Sequence, residues 1–265
     1  MGQSQSSSSA SSSCSSSKDK SVPDLLDRQT LTSALTTISH NLWKKTQTHH
    51  TFLVAGGVVS VLLFSSRPTT RDLNLITISD LDTKTRNTLI KSIQKCSQKF
   101  KISPGWMNND MEKGVDEDTL MLAVTRSYDQ RAVVYTSEGL TLLAVDFVYA
   151  LQSKLARYSL AKEQGGQNPM EMNDMVEIAR RLVTVENQGR SLTSGYMERL
   201  YTKLFFSQES WKQLSRTYEA KYGERGILVE LDYRHSPVAE TGEGSSRNDA
   251  LSVAQVAYQP AVRED

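Results

Sequence analysis

The chain has 265 residues, enough for one sizeable domain with appendages. Its 31 basic and 30 acidic residues leave a formal net charge of +1, so overall charge gives no argument for a nucleic-acid-binding protein. Two cysteines, Cys14 and Cys96, are too few for a disulfide framework or a cysteine-rich metal cluster. We therefore expect a cytoplasmic protein and do not expect nucleic acid as a partner.

Both ends of the chain are predicted to be disordered. Half of residues 1–24 are serine, and the tail over residues 234–265 is rich in Ser, Gly, Glu and Pro, so neither can bury enough apolar surface to offset its ordering entropy. Residues 25–233 form the predicted domain. Neither a secretory signal nor a transmembrane helix is expected, because the uncharged run Thr51–Ser66 is shorter than the roughly 20 residues a membrane span needs.

The first residues match an N-myristoylation pattern, with Gly2 as the acceptor after removal of Met1 and Ser6 in the required place. Chance is the competing interpretation, because a serine-rich segment supplies Ser6 automatically. A single myristoyl chain binds membranes with a constant of only about 10⁴ M⁻¹, so stable anchoring needs a second signal. Palmitoylation of Cys14 would supply one, unless Cys14 is an inert thiol. A membrane is therefore a candidate partner.

The first part of the domain reads as a helix, a strand, a short helix and a second strand. Apolar residues at helical spacing predict an amphipathic helix over Asp27–Lys45. A β-type run at Thr51–Ala55 ends at Gly56-Gly57, and Val58–Phe64 follows as a short apolar helix. The alternation over Arg71–Ile78 predicts a strand.

The next predicted helix, Thr83–Lys101, has an apolar side and a basic side. The residues expected to face inward are Leu89, Ile90, Ile93, Cys96 and Phe100. The basic residues are Lys84, Arg86, Lys91, Lys95, Lys99 and Lys101, and no acidic residue occurs between Asp82 and Asp110. A solvated helix face is the ordinary interpretation, and a patch for a phosphate-rich ligand or an anionic membrane is the alternative.

The second half of the domain is predicted to be mainly helical. Ala132–Tyr135 and Leu140–Val145 form a predicted β-hairpin, and Asp146 caps a helix that runs to Tyr158. Asn168-Pro169 begins another helix, with Glu171 placed as in a capping box. Two further helices are predicted over Ser194–Phe206 and Gln208–Tyr222.

The segment from the glycine pair to the second strand has the pattern of a phosphate and metal site. Gly56-Gly57, at a strand-to-helix turn, allows close approach of the backbone and presents helix amides to phosphate. Asp72 and Asn74 are two residues apart on a predicted strand, which places both on one face about 7 Å apart. Oxygen ligands at that separation suit Mg²⁺ ions that contact nucleotide phosphates.

This segment resembles the DNA-polymerase-beta-type nucleotidyltransferases, especially their minimal members and antitoxin-like relatives. Their pattern is a Gly-Gly or Gly-Ser turn, a short helix, Arg-x-Thr and then Asp-x-Asp on a strand, and Arg67, Asp72 and Asn74 occupy its places. Three later segments also resemble this group: Trp106-Met-Asn-Asn, the helix containing Lys154, and Asn173-Asp174-Met-Val-Glu177. A group of uncharacterised fungal nucleotidyltransferase-like proteins is similar in order and spacing, some with a similar Met-Gly-Ser-rich start. The resemblance covers about Leu35–Tyr222.

The resemblance implies an α/β fold of the α+β kind, with a small mixed sheet and a helical C-terminal half. It implies Mg²⁺-dependent transfer of a nucleoside monophosphate from a nucleoside triphosphate, with Asp72 and Asn74 as metal ligands and Asp72 and Lys154 as catalytic residues. The implied nucleotide and phosphate ligands are Gly56, Gly57, Arg67 and Lys154.

The sequence departs from the family pattern at Asn74, where the family has a second aspartate. A neutral amide oxygen does not offset the charge of Mg²⁺, so metal affinity should fall. A third carboxylate is also expected, and the candidates are Asp110 and Asp146, of which Asp146 is better explained as a helix cap. We therefore expect a weak or degenerate nucleotidyltransferase, with a non-catalytic, membrane-tethered binding or scaffold module as the alternative.

Each candidate residue also has an ordinary structural interpretation. The glycine pair is then a tight turn, and Asp72 pairs with Arg67 or Arg71 at a strand edge. Lys154 is then a solvated helix side chain whose stem covers apolar surface.

Overall fold

The computed structural model describes residues 25–76, 81–112, 115–166 and 168–229. The predicted terminal segments, the lipidation candidates Gly2 and Cys14, and the end of the predicted strand beyond Ile76 lie outside the described residues. Within them the protein has the predicted α/β fold, in which helices accompany a mixed sheet.

Nine short strands occur in the described chain. They are β1 (Leu26–Asp27), β2 (His50–Ala55), β3 (Thr69–Thr70), β4 (Leu73–Ile76), β5 (Met107–Asn108), β6 (Val133–Ser137), β7 (Leu140–Ala144), β8 (Leu192–Thr193) and β9 (Ile227–Leu228). Five of them form the central sheet in the order β5-β4-β2-β7-β6. The central strand β2 runs antiparallel to β4 and parallel to β7, which confirms the expectation of a small mixed sheet.

Eight helices surround and extend this sheet in the described chain. They are α1 (Arg28–Thr46), α2 (Gly57–Val59, continued by a π-helical turn over Ser60–Phe64), α3 (Thr83–Phe100), α4 (Glu117–Gln130), α5 (Phe147–Glu163), α6 (Pro169–Arg181, continued by a π-helical turn over Leu182–Glu186), α7 (Ser194–Leu200) and α8 (Gln208–Tyr222). Helices α1 and α3 pack together, whereas α6 packs against both α5 and α8. None of the helices in the described ranges combines the length and the apolar character needed to cross a bilayer.

Side-chain caps define several of the predicted helix starts. Asp27 accepts from the amide of Thr30 at the start of α1, and Asp146 accepts from the amide of Tyr149 at the start of α5. Asn168 caps α6 with proline at its first position. The caps of α5 and α6 were predicted from the sequence, because capping depends on residues close in sequence, whereas the start of α1 was predicted from its apolar periodicity.

Three helical predictions were wrong in part, and α4 was not predicted. Helix α5 continues to Glu163, five residues beyond the predicted end at Tyr158. Helix α7 ends at Leu200, not Phe206, because the buried amide of Gln152 donates to the carbonyls of Tyr201 and Leu204, at 2.9 and 2.6 Å. In α3, the side chain of Ile90 is 47 % exposed and does not face inward.

Leu89 and Cys96 of α3 are buried, as predicted, and so are Thr85, Ser92 and Ser97. The last three are small polar residues that an apolar pattern does not reveal. The thiol of Cys96 donates to the carbonyl of Ala34 in α1 at 3.5 Å, so the two helices approach closely at this point.

The turn between β2 and α2 requires glycine at both of its positions. Gly56 has φ +80°, in the left-handed region, and a Cβ added there would lie 3.2 Å from Nδ2 of Asn74. A Cβ added at Gly57 would lie 2.0 Å from Oγ1 of Thr70, a side chain that is 4 % exposed. The tight-turn interpretation of the pair is therefore sufficient to explain both glycines.

We predict that Gly57→Ala lowers the free energy of unfolding by about 2 kcal/mol or more, because the added methyl group overlaps a buried threonine. Chemical denaturation measures the change. Gly105→Ala is the matched control, because its added Cβ meets no atom within 4 Å, and it should stay within about 0.5 kcal/mol of the parent. Equal effects of the two substitutions would contradict the close approach of Thr70.

Candidate functional site

A cavity of about 570 Å³ is lined by the turn before α2, the segment that includes β3 and the start of β4, and parts of α5 and α6. It brings together all the residues predicted to bind metal or phosphate: Gly56, Gly57, Arg67, Asp72, Asn74 and Lys154. Five of them lie in one segment, Gly56–Asn74, whereas Lys154 is far away in sequence, so its position beside the others is a property of the fold.

Asp72 and Asn74 both line the cavity with the glycine turn, but only Asn74 is on a strand, because β4 begins at Leu73 and not at the predicted Arg71. Asn74 is on β4, where it is opposite Ala55 of β2 and Asn108 of β5, and it is 8 % exposed. Its amide nitrogen is the atom nearest to the Cβ position of Gly56, at 3.2 Å. Asp72 comes immediately before β4 and is half-buried, and no described residue is recorded as a partner of its carboxylate.

An ion cluster in the cavity wall is centred on the fully buried Asp174 of α6. The guanidinium of Arg67 donates to both carboxylate oxygens through Nε and a terminal nitrogen, and Nζ of Lys154 donates to Oδ2 at 3.1 Å. The hydroxyl of Ser66 donates to Oδ1 at 2.7 Å. Asp174 thus joins the segment after α2 to helices α5 and α6.

The surroundings of this cluster shift the pKa values of its members. Burial tends to raise the pKa of Asp174, but the charges of Lys154 and Arg67 and the hydrogen bonds from Arg67 and Ser66 outweigh it, and the pKa is lowered. Burial lowers the pKa of Lys154, and the nearby cations Arg157 and Arg67 act in the same direction against the attraction of Asp174. Both shifts follow from two cations sharing one carboxylate in a buried place.

The cluster therefore has a surplus of positive charge and of hydrogen-bond donors. A lysine ammonium has three N–H donors, and Lys154 has one recorded acceptor while lining the cavity. Arg71 also lines the cavity, and its exposed guanidinium has no recorded hydrogen bond or ion pair within the described ranges. Arg157 is placed at the wall by an ion pair with Glu171 at 3.5 Å. An anionic group entering the cavity would meet unsatisfied donors.

Two of the ordinary interpretations were wrong. Arg67 pairs with Asp174, not Asp72, and Lys154 is 5 % exposed and so is not a solvated helix side chain. The reason is common to both: Asp174 lies between them, on a helix more than a hundred residues after Arg67 along the chain. Its only sequence signal was the resemblance of Asn173-Asp174 to the family's acidic helix, and it was not among the predicted site residues.

The candidates for a third carboxylate lie elsewhere. Asp146 caps α5, as expected, and also accepts from the hydroxyl of Tyr201 at 2.6 Å and from Nε of Arg126 at 3.3 Å. Asp110 begins a 3₁₀ turn after β5 and is not one of the residues that line the cavity, although the next residue, Met111, is.

The donor set does not fit a two-magnesium centre. In the described part of the chain, no group of three or more His, Cys, Asp or Glu side chains is arranged to hold a metal ion. The cavity lining includes the carboxylate of Asp72 and the neutral amide of Asn74, and Glu171 is paired with Arg157. One carboxylate and one amide compensate little of the charge of Mg²⁺.

We predict that Asp174→Asn destabilises the protein by about 3–5 kcal/mol, because it leaves Arg67 and Lys154 buried without their counter-charge. Lys154→Met should cost clearly less, since it leaves the two-pronged pair of Arg67 and Asp174 intact. Urea denaturation of both variants and the parent measures the difference. A larger loss for Lys154→Met would contradict the surplus of positive charge.

The difference in stability between the parent and Asp174→Asn should also depend on pH. Because the folded-state pKa of Asp174 is lowered, its contribution to stability is complete above its ordinary value of 3.8 and is lost as pH falls through the folded value. The stability advantage of the parent over Asp174→Asn should therefore shrink below about pH 4. A constant advantage down to pH 2 would show that the carboxylate is not responsible.

One comparison with known proteins gives a match, and it covers most of the chain. The family described as Domain of unknown function (DUF7582) matches residues 24–225, which include the central sheet, the cavity and helices α1 to α8. No curated protein and no solved structure matches the chain. The chain therefore belongs to the DUF7582 family.

Proposed function

We propose that this protein is a nucleotidyltransferase-like module whose cavity binds the phosphate groups of a nucleoside triphosphate, with weak or no transfer activity. The observation that carries the proposal is the ion cluster in the cavity wall, where Arg67 and Lys154 share one carboxylate. A bound phosphate would accept hydrogen bonds from donors that Asp174 leaves unsatisfied and would offset the excess positive charge.

The position of the cluster supports a triphosphate more than a simple carboxylate ligand. The cationic cluster, the glycine turn and the free guanidinium of Arg71 all line one cavity, so several oxygens of an extended anion have partners there. The two glycines of the turn have no side chains, so a ligand can approach their backbone closely. A cavity of about 570 Å³ is within the range of small-molecule sites.

The metal ligands support binding more than catalysis. Two-metal transfer depends on carboxylates that hold both ions against the reacting phosphate, and the cavity has Asp72 with a neutral neighbour, Asn74. The cation cluster itself is independent of metal, because Asp174 holds it in place. Nucleotide binding is thus expected to need less Mg²⁺ than transfer would.

Magnesium-dependent transfer is the second candidate function. The observation in its favour is Asp72, whose carboxylate lines the cavity and has no recorded partner among the described residues. If transfer occurs, Asp72 would hold one Mg²⁺, and Arg67 with Lys154 would offset charge on the leaving pyrophosphate.

We predict that a nucleoside triphosphate stabilises the full-length protein in the presence of a metal chelator, and that Arg71→Gln weakens its affinity about tenfold by removing one charged hydrogen bond. Isothermal titration calorimetry measures the affinity. Arg216→Gln removes an exposed guanidinium of α8, which is outside the cavity wall, and should leave the affinity unchanged. Equal loss in the two variants, or no binding by the parent, would refute the proposal.

Asn74→Asp should convert metal-independent binding into metal-assisted binding, because it adds a second carboxylate beside Asp72. Thermal shift with nucleotide, with and without Mg²⁺, gives the comparison. We expect Mg²⁺ to add little thermal stabilisation to the nucleotide-bound parent and clearly more to Asn74→Asp. Adding Asp72→Ala to the Asn74→Asp variant should abolish this extra stabilisation. Strong Mg²⁺ dependence in the parent would favour the enzyme, and its absence from Asn74→Asp would contradict the assignment of the metal position.

A further inference from the structure

Helix α3 carries a basic face that none of the preceding functions uses. All six of its basic residues, Lys101 at the C-cap included, are exposed, and none has a recorded ion pair within the described ranges. The chain as a whole has a net charge of +1, so the acidic residues that offset this basic helix lie elsewhere in the sequence. The overall composition therefore does not reveal the concentration of positive charge on α3.

The lysines are arranged as a stripe along the helix. Lys84, Lys91, Lys95 and Lys99 follow one another at intervals of seven, four and four residues, which places them on one side of an α-helix. At a rise of 1.5 Å per residue the stripe is about 22 Å long. Like charges four residues apart destabilise a helix, and no acidic residue of α3 relieves them. An ordinary solvated face alternates both signs, so the stripe points to an anionic partner.

The apolar and aromatic residues of α3 distinguish a lipid surface from a nucleic acid as the anionic partner. Ile90 is 47 % exposed and is four residues after Arg86, so an exposed apolar side chain adjoins one of the basic residues of α3, as in helices that rest on a membrane surface. The single aromatic residue of α3, Phe100, is half-buried, so the helix has no exposed ring for stacking of nucleic-acid bases. A lipid surface fits both observations better than RNA or DNA.

The start of α1 and the end of α3 lie at the same end of this helix pair. Cys96, near the end of α3, donates to the carbonyl of Ala34 in the first half of α1. At the other end of α1, Thr46 is hydrogen-bonded to His50, and the charge of Asp82 at the start of α3 acts to raise the pKa of that histidine. The two helices are therefore antiparallel. The described chain begins at Leu25, three residues before α1, and the 23 peptide units between Gly2 and Leu25 span at most about 80 Å.

We propose that the basic face of α3 binds anionic phospholipid bilayers and supplies the second signal that a myristoyl chain on Gly2 would need. A single acyl chain gives marginal binding, and each basic residue close to an anionic bilayer adds about a fivefold gain in partitioning. The lysine stripe thus replaces the role that palmitoylation of Cys14 would otherwise fill. This surface is separate from the cavity, so it does not depend on nucleotide binding.

The test uses the full-length protein, purified without the acyl chain, and flotation with vesicles of phosphatidylcholine alone or mixed with phosphatidylserine. The parent should bind the mixed vesicles preferentially and lose binding as salt is raised. Lys91→Gln with Lys95→Gln should weaken partitioning into mixed vesicles about 30-fold. Thermal unfolding of this variant should match or exceed that of the parent, because a like-charge repulsion is removed.

The matched control is Lys212→Gln with Arg216→Gln, which removes the same charge at the same four-residue spacing from the exposed side of α8. It should bind as the parent does. No preference for phosphatidylserine, equal losses in the two double variants, or retention of single-stranded RNA in place of vesicles would overturn the proposal.

A second arm uses protein co-expressed with an N-myristoyltransferase. Acylation should strengthen binding, Gly2→Ala should cancel that gain, and the 30-fold effect of the α3 variant should persist in both backgrounds. If the α3 variant has no effect on the acylated protein, the helix is not the second signal.

Discussion

The buried carboxylate of Asp174 is the interaction on which the rest of the site depends. It receives hydrogen bonds from Ser66 and Arg67, which follow α2, and from Lys154 on α5. The sheet-bearing half of the domain and its helical half are thereby connected at the cavity wall. Because two cations meet one carboxylate, the same interaction that connects the halves leaves the cavity with excess positive charge.

In the proposed function, phosphate binding and metal chemistry use different residues. The cations that would meet a triphosphate are positioned by a protein carboxylate, so their geometry is preorganised before any ligand arrives. The proposed metal position, by contrast, would depend on Asp72 and the neutral Asn74. Under this proposal, phosphate binding would not require a complete set of metal-binding carboxylates.

Local signals predicted much of the fold, because caps and strand patterns act over a few residues. The caps at the starts of α5 and α6 and the apolar periodicity of α1 were predictable in this way. The approach of Asn74 to the glycine turn was expected from the resemblance to the nucleotidyltransferase pattern. Contacts between distant segments were not predictable. Asp174 looks like a polar residue of an amphipathic helix, and nothing near it in sequence indicates that Arg67 is its partner.

The most direct measurement of the central claim is a crystal structure of the full-length protein with a non-hydrolysable nucleoside triphosphate analogue. The account predicts that the phosphates lie in the cavity beside Gly56-Gly57, with an oxygen within hydrogen-bond distance of Nζ of Lys154 and the Asp174 cluster intact. Phosphates bound on another surface, such as the basic face of α3, with the cavity left free of ligand, would contradict it.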